Sequence, residues 1–206
     1  MSTDPPRADT SARITEATFS LLAEHGLAGV TMSAIASRAG IARQTLYNHF
    51  PDVDSIVAAA MAQHHHDDLQ ALDAMLATIP TATGRLEYLV RHASVTAAEH
   101  GALPALHQGL SPSAQHAARQ YDEQIRAMIR GALARGRQTG ELAPTIDPDL
   151  HAVLVHHLVD AAAELAAARP DEVAHITETT IGLIHTATHP RHHATDGHST
   201  EKPRPA

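Results

Sequence analysis

Apolar residues recur at steps of three and four through most of this chain, the period of helices that each bury one face. Ile14, Ala17, Leu21 and Leu22 make the first such stripe, and Glu24-His25-Gly26 closes it. Thr31 follows, with a hydroxyl suited to an N-cap, ahead of a shorter stripe of Ile35, Ala36 and Ala39. Gly40 then offers a left-handed residue that ends a helix without a Cβ penalty. Leu46 and Phe50 stand four apart and form the inner side of a third short helix, with Ile41 plugging the angle before it. Pro51 stops that helix, and Asp52 is placed to cap a long one over 52–78, broken at Pro80-Thr81.

The same period predicts helices over 82–100, about 103–110, 113–138, 149–168 and 171–188. Leu86, Leu89, Val90 and Ala93 point inward on the first of these. Tyr121, Ile125, Met128, Ile129, Ala132 and Leu133 do so on the third. Leu150, Val153, Leu154, Leu158, Ala161, Ala162 and Leu165 are expected to line the next to last helix. Val173, Ile176, Ile181, Leu183 and Ile184 are expected to line the last. Ala161, Ala162, Ala163 and Gly182 are small enough to let helices approach closely.

Composition agrees with this pattern. Aromatics are 2% of 206 residues, and alanine stands where strands would need β-branched runs, so the expected fold is all-α. The expected parts are a disordered arm over 1–10, a three-helix head with a helix-turn-helix over 11–51, a helical effector-binding and dimerisation bundle over 52–188, and a disordered tail over 189–206. The tail is rich in Pro, His and Thr without an apolar face. There is no cysteine, hence no disulfide and no thiolate metal site. No secretory leader and no apolar run long enough to span a bilayer is read, which points to a cytosolic protein without a membrane partner.

Residues 31–61 carry the most chemistry. A helix, a one-glycine turn and a second helix make a helix-turn-helix, whose second helix enters the DNA major groove. With Leu46 and Phe50 turned inward, Arg43, Gln44, Thr45, Tyr47, Asn48 and His49 are left for solvent or DNA. Arginine can pair with guanine and glutamine with adenine through two hydrogen bonds each, and a threonine methyl can touch thymine. Helix–glycine–helix runs also occur in ordinary helical cores. Charge is unfavourable: to residue 55, Arg7, Arg13, Arg38 and Arg43 stand against Asp4, Asp9, Glu16, Glu24, Asp52 and Asp54. A basic footprint is the usual mark of a nucleic-acid binder. Hydroxyls and helix N-termini must then hold phosphates, giving modest affinity and a shallow salt slope.

The run Ile14…Ala17…Leu21-Leu22-Ala23-Glu24-His25-Gly26, then Val30-Thr31…Ile35-Ala36…Ala39-Gly40-Ile41…Thr45-Leu46-Tyr47-Asn48-His49-Phe50, resembles the N-terminal domain of the tetracycline-repressor (TetR) family. The resemblance implies a ligand-responsive transcriptional regulator, most often a repressor. It would bind a palindromic double-stranded operator as a homodimer and be released by a small effector. Arg43, Gln44 and Thr45 then take the positions that touch base edges. Tyr47 and His49 take those that contact phosphates or flanking bases, and Thr31 the helix-start phosphate contact. Asn48 stays on the same exposed side. Ser33 lies where some members place a longer base-reading side chain, so a base contact from it is in doubt. The last two helices would pair with their symmetry mates.

An effector would sit between the middle helices, and the candidates are Leu89, His92, Leu103, Leu106, His107, Tyr121, Gln124, Met128 and His157. Eighteen histidines against a single lysine is an unusual balance. His64 and Asp68 stand four apart on a helical face, and His156 and Asp160 repeat the spacing; imidazole suits Zn, Ni, Cu or Fe. A carboxylate-bridged di-metal centre would need two Glu-x-x-His motifs, and Glu172-Val173-Ala174-His175 supplies one. No metal ligand set, cofactor or catalytic residue is assigned. Nucleophile elbow, phosphate loop, zincin and dinucleotide motifs are all missing, so an enzyme is not expected. The alternative is a helical module that binds metal or a small molecule without touching DNA.

Overall fold

The computed structural model describes residues 7–100 and 110–189, and among these all regular structure is helical. The α-helices are α1 (Arg7–His25), α2 (Met32–Ala39), α3 (Arg43–His49), α4 (Val53–Thr78), α5 (Ala82–His100), α6 (Pro112–Thr139), α7 (Pro148–Ala168) and α8 (Val173–Thr188). Short 3-10 turns occupy Leu27–Gly29 and Pro170–Glu172.

Local chemistry explains most boundaries. Thr31 Oγ1 accepts the Ala34 N–H at 3.1 Å and starts α2. Gly40 ends it at φ 63°, in the left-handed region that a side chain resists. Asp52 accepts the Ser55 N–H at 2.8 Å and starts α4. Asp147 caps α7 through the N–H groups of Asp149 and Leu150. The start of α5 is capped from a distance: the Glu141 carboxylate accepts from Ala82 and Thr83 at 2.8 and 2.7 Å. Each such cap satisfies backbone donors that the helix itself cannot.

Two apolar cores stack along the chain. In the first, Ile14, Leu21, Leu22, Ile35, Leu46, Ile56 and Met61 join α1 to α4, and Leu110, Ala114 and Ala118 enter it from the α6 end. In the second, Leu72, Leu86, Val90, Ile129, Leu133, Val155 and Ile184 join α4 to α8. Helices α4 and α6 pack along each other and run through both cores, while α7 packs against α5, α6 and α8. A displacement of α4 against α6 therefore reaches both cores.

Three expectations are corrected. Residues 7–10 are the first turn of α1, not part of an arm, and Thr10 is buried. At the other end His189 caps α8 through its N–H on the His185 carbonyl, while 190–206 lie outside the described residues. The inner face of α7 is Ala152, Val155, His156, Val159, Ala162, Ala163 and Ala166, and Leu150, Val153, Leu154, Ala161 and Leu165 face outward. Small residues let α7 seat closely against α5 and α6, which leaves its leucines on the far side. The same helix is long and apolar enough to cross a membrane by length and composition, with a mean hydropathy of 1.2. No such run was expected. In the fold it packs on three neighbours and carries Asp160 and His156 toward the interior. The helix expected over 103–110 lies outside the described residues, apart from Leu110.

Candidate nucleic-acid interface and internal cavity

Helix α3 buries only Leu46, whose side chain is fully enclosed in the head core. Ile41 and Phe50 pack beside it. Seven residues are too few for a stable helix alone, so α3 is held by this packing and by the Gly40 turn. Arg43, Gln44, Tyr47 and Asn48 are exposed, and Thr45 and His49 are half-buried beside them. Tyr47 keeps 52% of its surface in solvent, unusual for a ring that could have joined the core. Gln44 Nε2 donates to Asn48 Oδ1 at 3.3 Å, one turn along.

Ser33 is exposed at the start of α2, and its Oγ accepts a hydrogen bond from Arg43 Nη2. Sequence reasoning considered it only as a base-reader of short reach. Its place beside Arg43 instead orients the guanidinium. Arg13 and Arg38 of the head have internal tasks. Arg13 Nη2 donates to the Ala39 carbonyl at 2.7 Å and ties α1 to the end of α2. Arg38 grips Glu24 through both oxygens, at 2.8 and 2.6 Å, and this bond holds the Glu24 carboxyl below its usual range. Neither interaction leaves a cation directed at phosphate, in keeping with the acidic balance of the head.

Behind the head core, α4, α5, α6 and α7 line a partly open cavity of about 120 Å³. Most of its wall is apolar, from Met61, Leu72, Leu89, Ile125 and Val159. Its polar groups gather around Asp68 of α4. Tyr121 of α6 donates its hydroxyl to Asp68 Oδ2 at 2.6 Å, and His92 of α5 bonds Asp68 Oδ1 through Nε2 at 2.8 Å. One carboxylate thus joins three helices. Burial by itself would raise the Asp68 carboxyl, but the bonds from His92 and Tyr121 prevail and hold it below the usual carboxylate range. The Tyr121 hydroxyl is pushed up, first by burial and then by the Asp68 charge. The phenol thus stays a donor. Nearby, His156 Nδ1 lies 3.0 Å from Asp160 Oδ2, and the His65 ring stacks on Tyr121 with centroids 4.3 Å apart.

Of the sequence candidates for an effector site, Leu89, His92 and Tyr121 line this cavity. Gln124 is exposed, over a shallower depression outside α4 and α6. Met128 packs against the second core without reaching the cavity. His157 points to solvent with 73% of its side chain exposed, and its neighbour His156 lines the wall instead. Leu103, Leu106 and His107 lie outside the described residues. The pairs His64–Asp68 and His156–Asp160, legible from their spacing, meet in this one space. Asp122 joins them without any sequence signal. Among the described residues, His156, His157 and Asp160 form a group able to hold a metal ion, with ligand atoms within 4.8 Å of one another. The outward turn of His157 leaves that set half outside the cavity.

Comparison with known proteins gives this geometry a frame. Residues 14–60 match the family of bacterial regulatory proteins described as the tetR family. An uncharacterised HTH-type transcriptional regulator of Mycobacterium tuberculosis (strain CDC 1551 / Oshkosh) is 43% identical over 64 residues, which are 31% of this chain and 34% of that protein. A counterpart in Mycobacterium bovis (strain ATCC BAA-935 / AF2122/97) is 43% identical over 58 residues, 28% of this chain and 31% of its own length. The chain therefore spans about a third of the curated relatives it matches.

The whole fold has solved counterparts. A regulator from Saccharomonospora viridis, crystallised in complex with choline, superimposes with a TM-score of 0.79 at 23% identity, covering 90% of this chain and 100% of that one. FadR from Bacillus subtilis, in complex with stearoyl-CoA, gives a TM-score of 0.70 at 19% identity, covering 84% and 96%. At such identities the likeness shows the fold alone.

Proposed function

We propose, because residues 14–60 match the tetR family of bacterial regulatory proteins, that this chain is a cytosolic ligand-responsive transcriptional regulator, a repressor. It binds a palindromic operator as a homodimer and lets go when a small effector enters the body. The parts are a head over 7–51 and an effector-binding and dimerisation bundle over 52–188. The observation that carries this reading is α3, of which Leu46 alone is buried, with Arg43, Gln44, Tyr47 and Asn48 presented outward in the matched segment. Thr45 and His49 complete that surface. Thr31 and Ser33 stand at the start of α2, Thr31 near phosphate and Ser33 behind Arg43. Solved neighbours that hold choline or stearoyl-CoA support an effector in the body.

Release follows from the two long helices. Helix α4 contributes Ile56 and Met61 to the head core and Asp68 to the cavity, while α6 contributes Ala118 to the head core and Tyr121 to the cavity. An effector that separates Asp68 from Tyr121 moves α4 against α6 and re-aims the head. It must bind the non-binding arrangement more tightly, since only differential affinity shifts such an equilibrium. Two heads on one dimer then lose their spacing for successive major grooves.

Arg43→Ala is expected to relax base preference at one position of each half-site by about 1–3 kcal/mol. Ser33→Ala is expected to do part of the same by leaving the guanidinium unoriented, with little change in stability. Tyr47→Phe weakens binding to all sequences alike. Competition between operator duplexes altered at single positions checks all three, and unchanged preference in Arg43→Ala removes the base-contact assignment.

The deciding experiment is selection of bound duplexes from a random DNA pool by the purified protein, followed by sequencing. An enriched palindrome supports the dimeric reader. No enrichment at low salt would sink it in favour of a binding module with an acidic head.

A further inference from the structure

We propose that the cavity lined by α4, α5, α6 and α7 takes a small organic cation, its ammonium head against Asp68, Asp122 and Asp160 and its apolar body along Leu72, Leu89 and Ile125. This rests on reading the cavity as the effector site, and it names the class of effector.

The wall selects for charge first. Its three carboxylates come from three different helices, and among the described residues no arginine or lysine lines the space. Anionic ligands such as carboxylates and phosphates are held by cationic side chains, which this wall does not supply. Burying a carboxylate is costly unless it is paired and hydrogen-bonded. The protein meets that cost itself: Tyr121 and His92 fix Asp68, His156 fixes Asp160, and Asp122 is partnered as well. A ligand carrying a permanent positive charge supplies the full cation that no described lysine or arginine brings to this wall.

The rest of the wall selects for an apolar body. A bare metal ion would leave the surfaces of Leu72, Leu89, Ile125 and Val159 uncovered. An alkyl chain covers them. Two features thus agree: carboxylates converging from three helices and an apolar surface beside them.

The same geometry supplies a route to release. An ammonium at Asp68 competes with the ties to Tyr121 and His92, through which one carboxylate joins α4, α5 and α6.

The test is calorimetric titration of the full chain with butyltrimethylammonium and with its uncharged isostere, in which carbon replaces nitrogen. The cation is expected to bind at least tenfold more tightly than the isostere. Asp122→Asn and Asp160→Asn, which spare the Asp68 ties, are each expected to cost at least tenfold in cation affinity with the helical melt unchanged. Equal binding of the isostere, or full affinity in both variants, overturns the proposal. So does the absence of binding by the ammonium, and so does saturable Zn(II) or Ni(II) binding without it, which would make the cavity a metal site on His156 and Asp160. Duplex selection runs independently: a palindrome without ammonium binding keeps the regulator and removes the cation. Ammonium binding without a palindrome does the reverse.

Discussion

Leu154→Glu combined with Leu183→Glu is expected to leave the chain monomeric and to weaken operator binding by orders of magnitude. Both leucines are 54% exposed in the single chain, on the sides of α7 and α8 turned away from the body. Leu150, Val153 and Leu165 continue the stripe along α7, at the spacing of one helical face. Ala161 and Gly182 lie among them and allow a partner helix to come close. Fully burying one leucine is worth about 1.5–3 kcal/mol, and two-fold symmetry counts each position twice. A glutamate there loses that gain and brings a carboxylate into an apolar contact, facing its own symmetry copy. Sedimentation at micromolar protein reads the mass directly. Operator binding falls with it, because two heads on one dimer act at a high effective concentration that separate heads lack. A double variant that sediments as a dimer would refute α7 and α8 as the interface.

Those same leucines mark where the sequence stops short. Periodicity identified a helix from about 149 to 168, since the apolar repeat favours one. It could not say which apolar face the body takes. Leucine on one side and alanine and valine on the other are both apolar, and only the tight approach of α5 and α6 decides for the small side. The head was far more legible. Its caps, glycine turn and inward residues lie within a few dozen positions, so local chemistry and packing demand the same residues.

The cavity falls between these cases. His64–Asp68 and His156–Asp160 were visible as pairs four apart, but their meeting depends on how α4 crosses α7, which no local spacing encodes. Choosing His157 over His156 was an error of one residue, and one residue turns a helical side chain by about 100°. Asp122 had no signal at all, being an ordinary carboxylate on a long amphipathic helix until its neighbours are known. The placement of Ser33 against Arg43 was hidden likewise, because two exposed polar residues ten apart meet only through the angle of the turn.

The last of these hidden features predicts a large change in stability. Gly136 lies in the interior of α6, where glycine costs about 1 kcal/mol relative to alanine, so a reason to keep it is needed. A Cβ at that position would fall 2.6 Å from Leu142 Cγ and 2.7 Å from Ala82 Cβ, closer than side-chain carbons approach. Ala82 begins α5, and its N–H and that of Thr83 are the donors that Glu141 accepts. Burial would raise the Glu141 carboxyl, but the bonds from Thr83 and Ala82 outweigh it and hold it below the usual range. The cap's contribution is therefore present above the unfolded-state value and lost as pH falls through the lower folded one. Gly136→Val must push Leu142 aside or drive the start of α5 off this cap. Overpacking of this kind costs about 1–3 kcal/mol, and the added β-branch and a displaced cap put the expected loss at the upper end. Gly131 supplies the control on the same helix: a Cβ there meets nothing within 4 Å, so Gly131→Ala should stabilise by about 0.5–1 kcal/mol. Urea unfolding of the two variants and of Gly136→Ala checks the argument. Opposite signs at 131 and 136 are expected for alanine, since at 136 the contact outweighs the gain in helix propensity. Stabilisation at both sites would mean that α5 does not dock where Gly136 makes room for it.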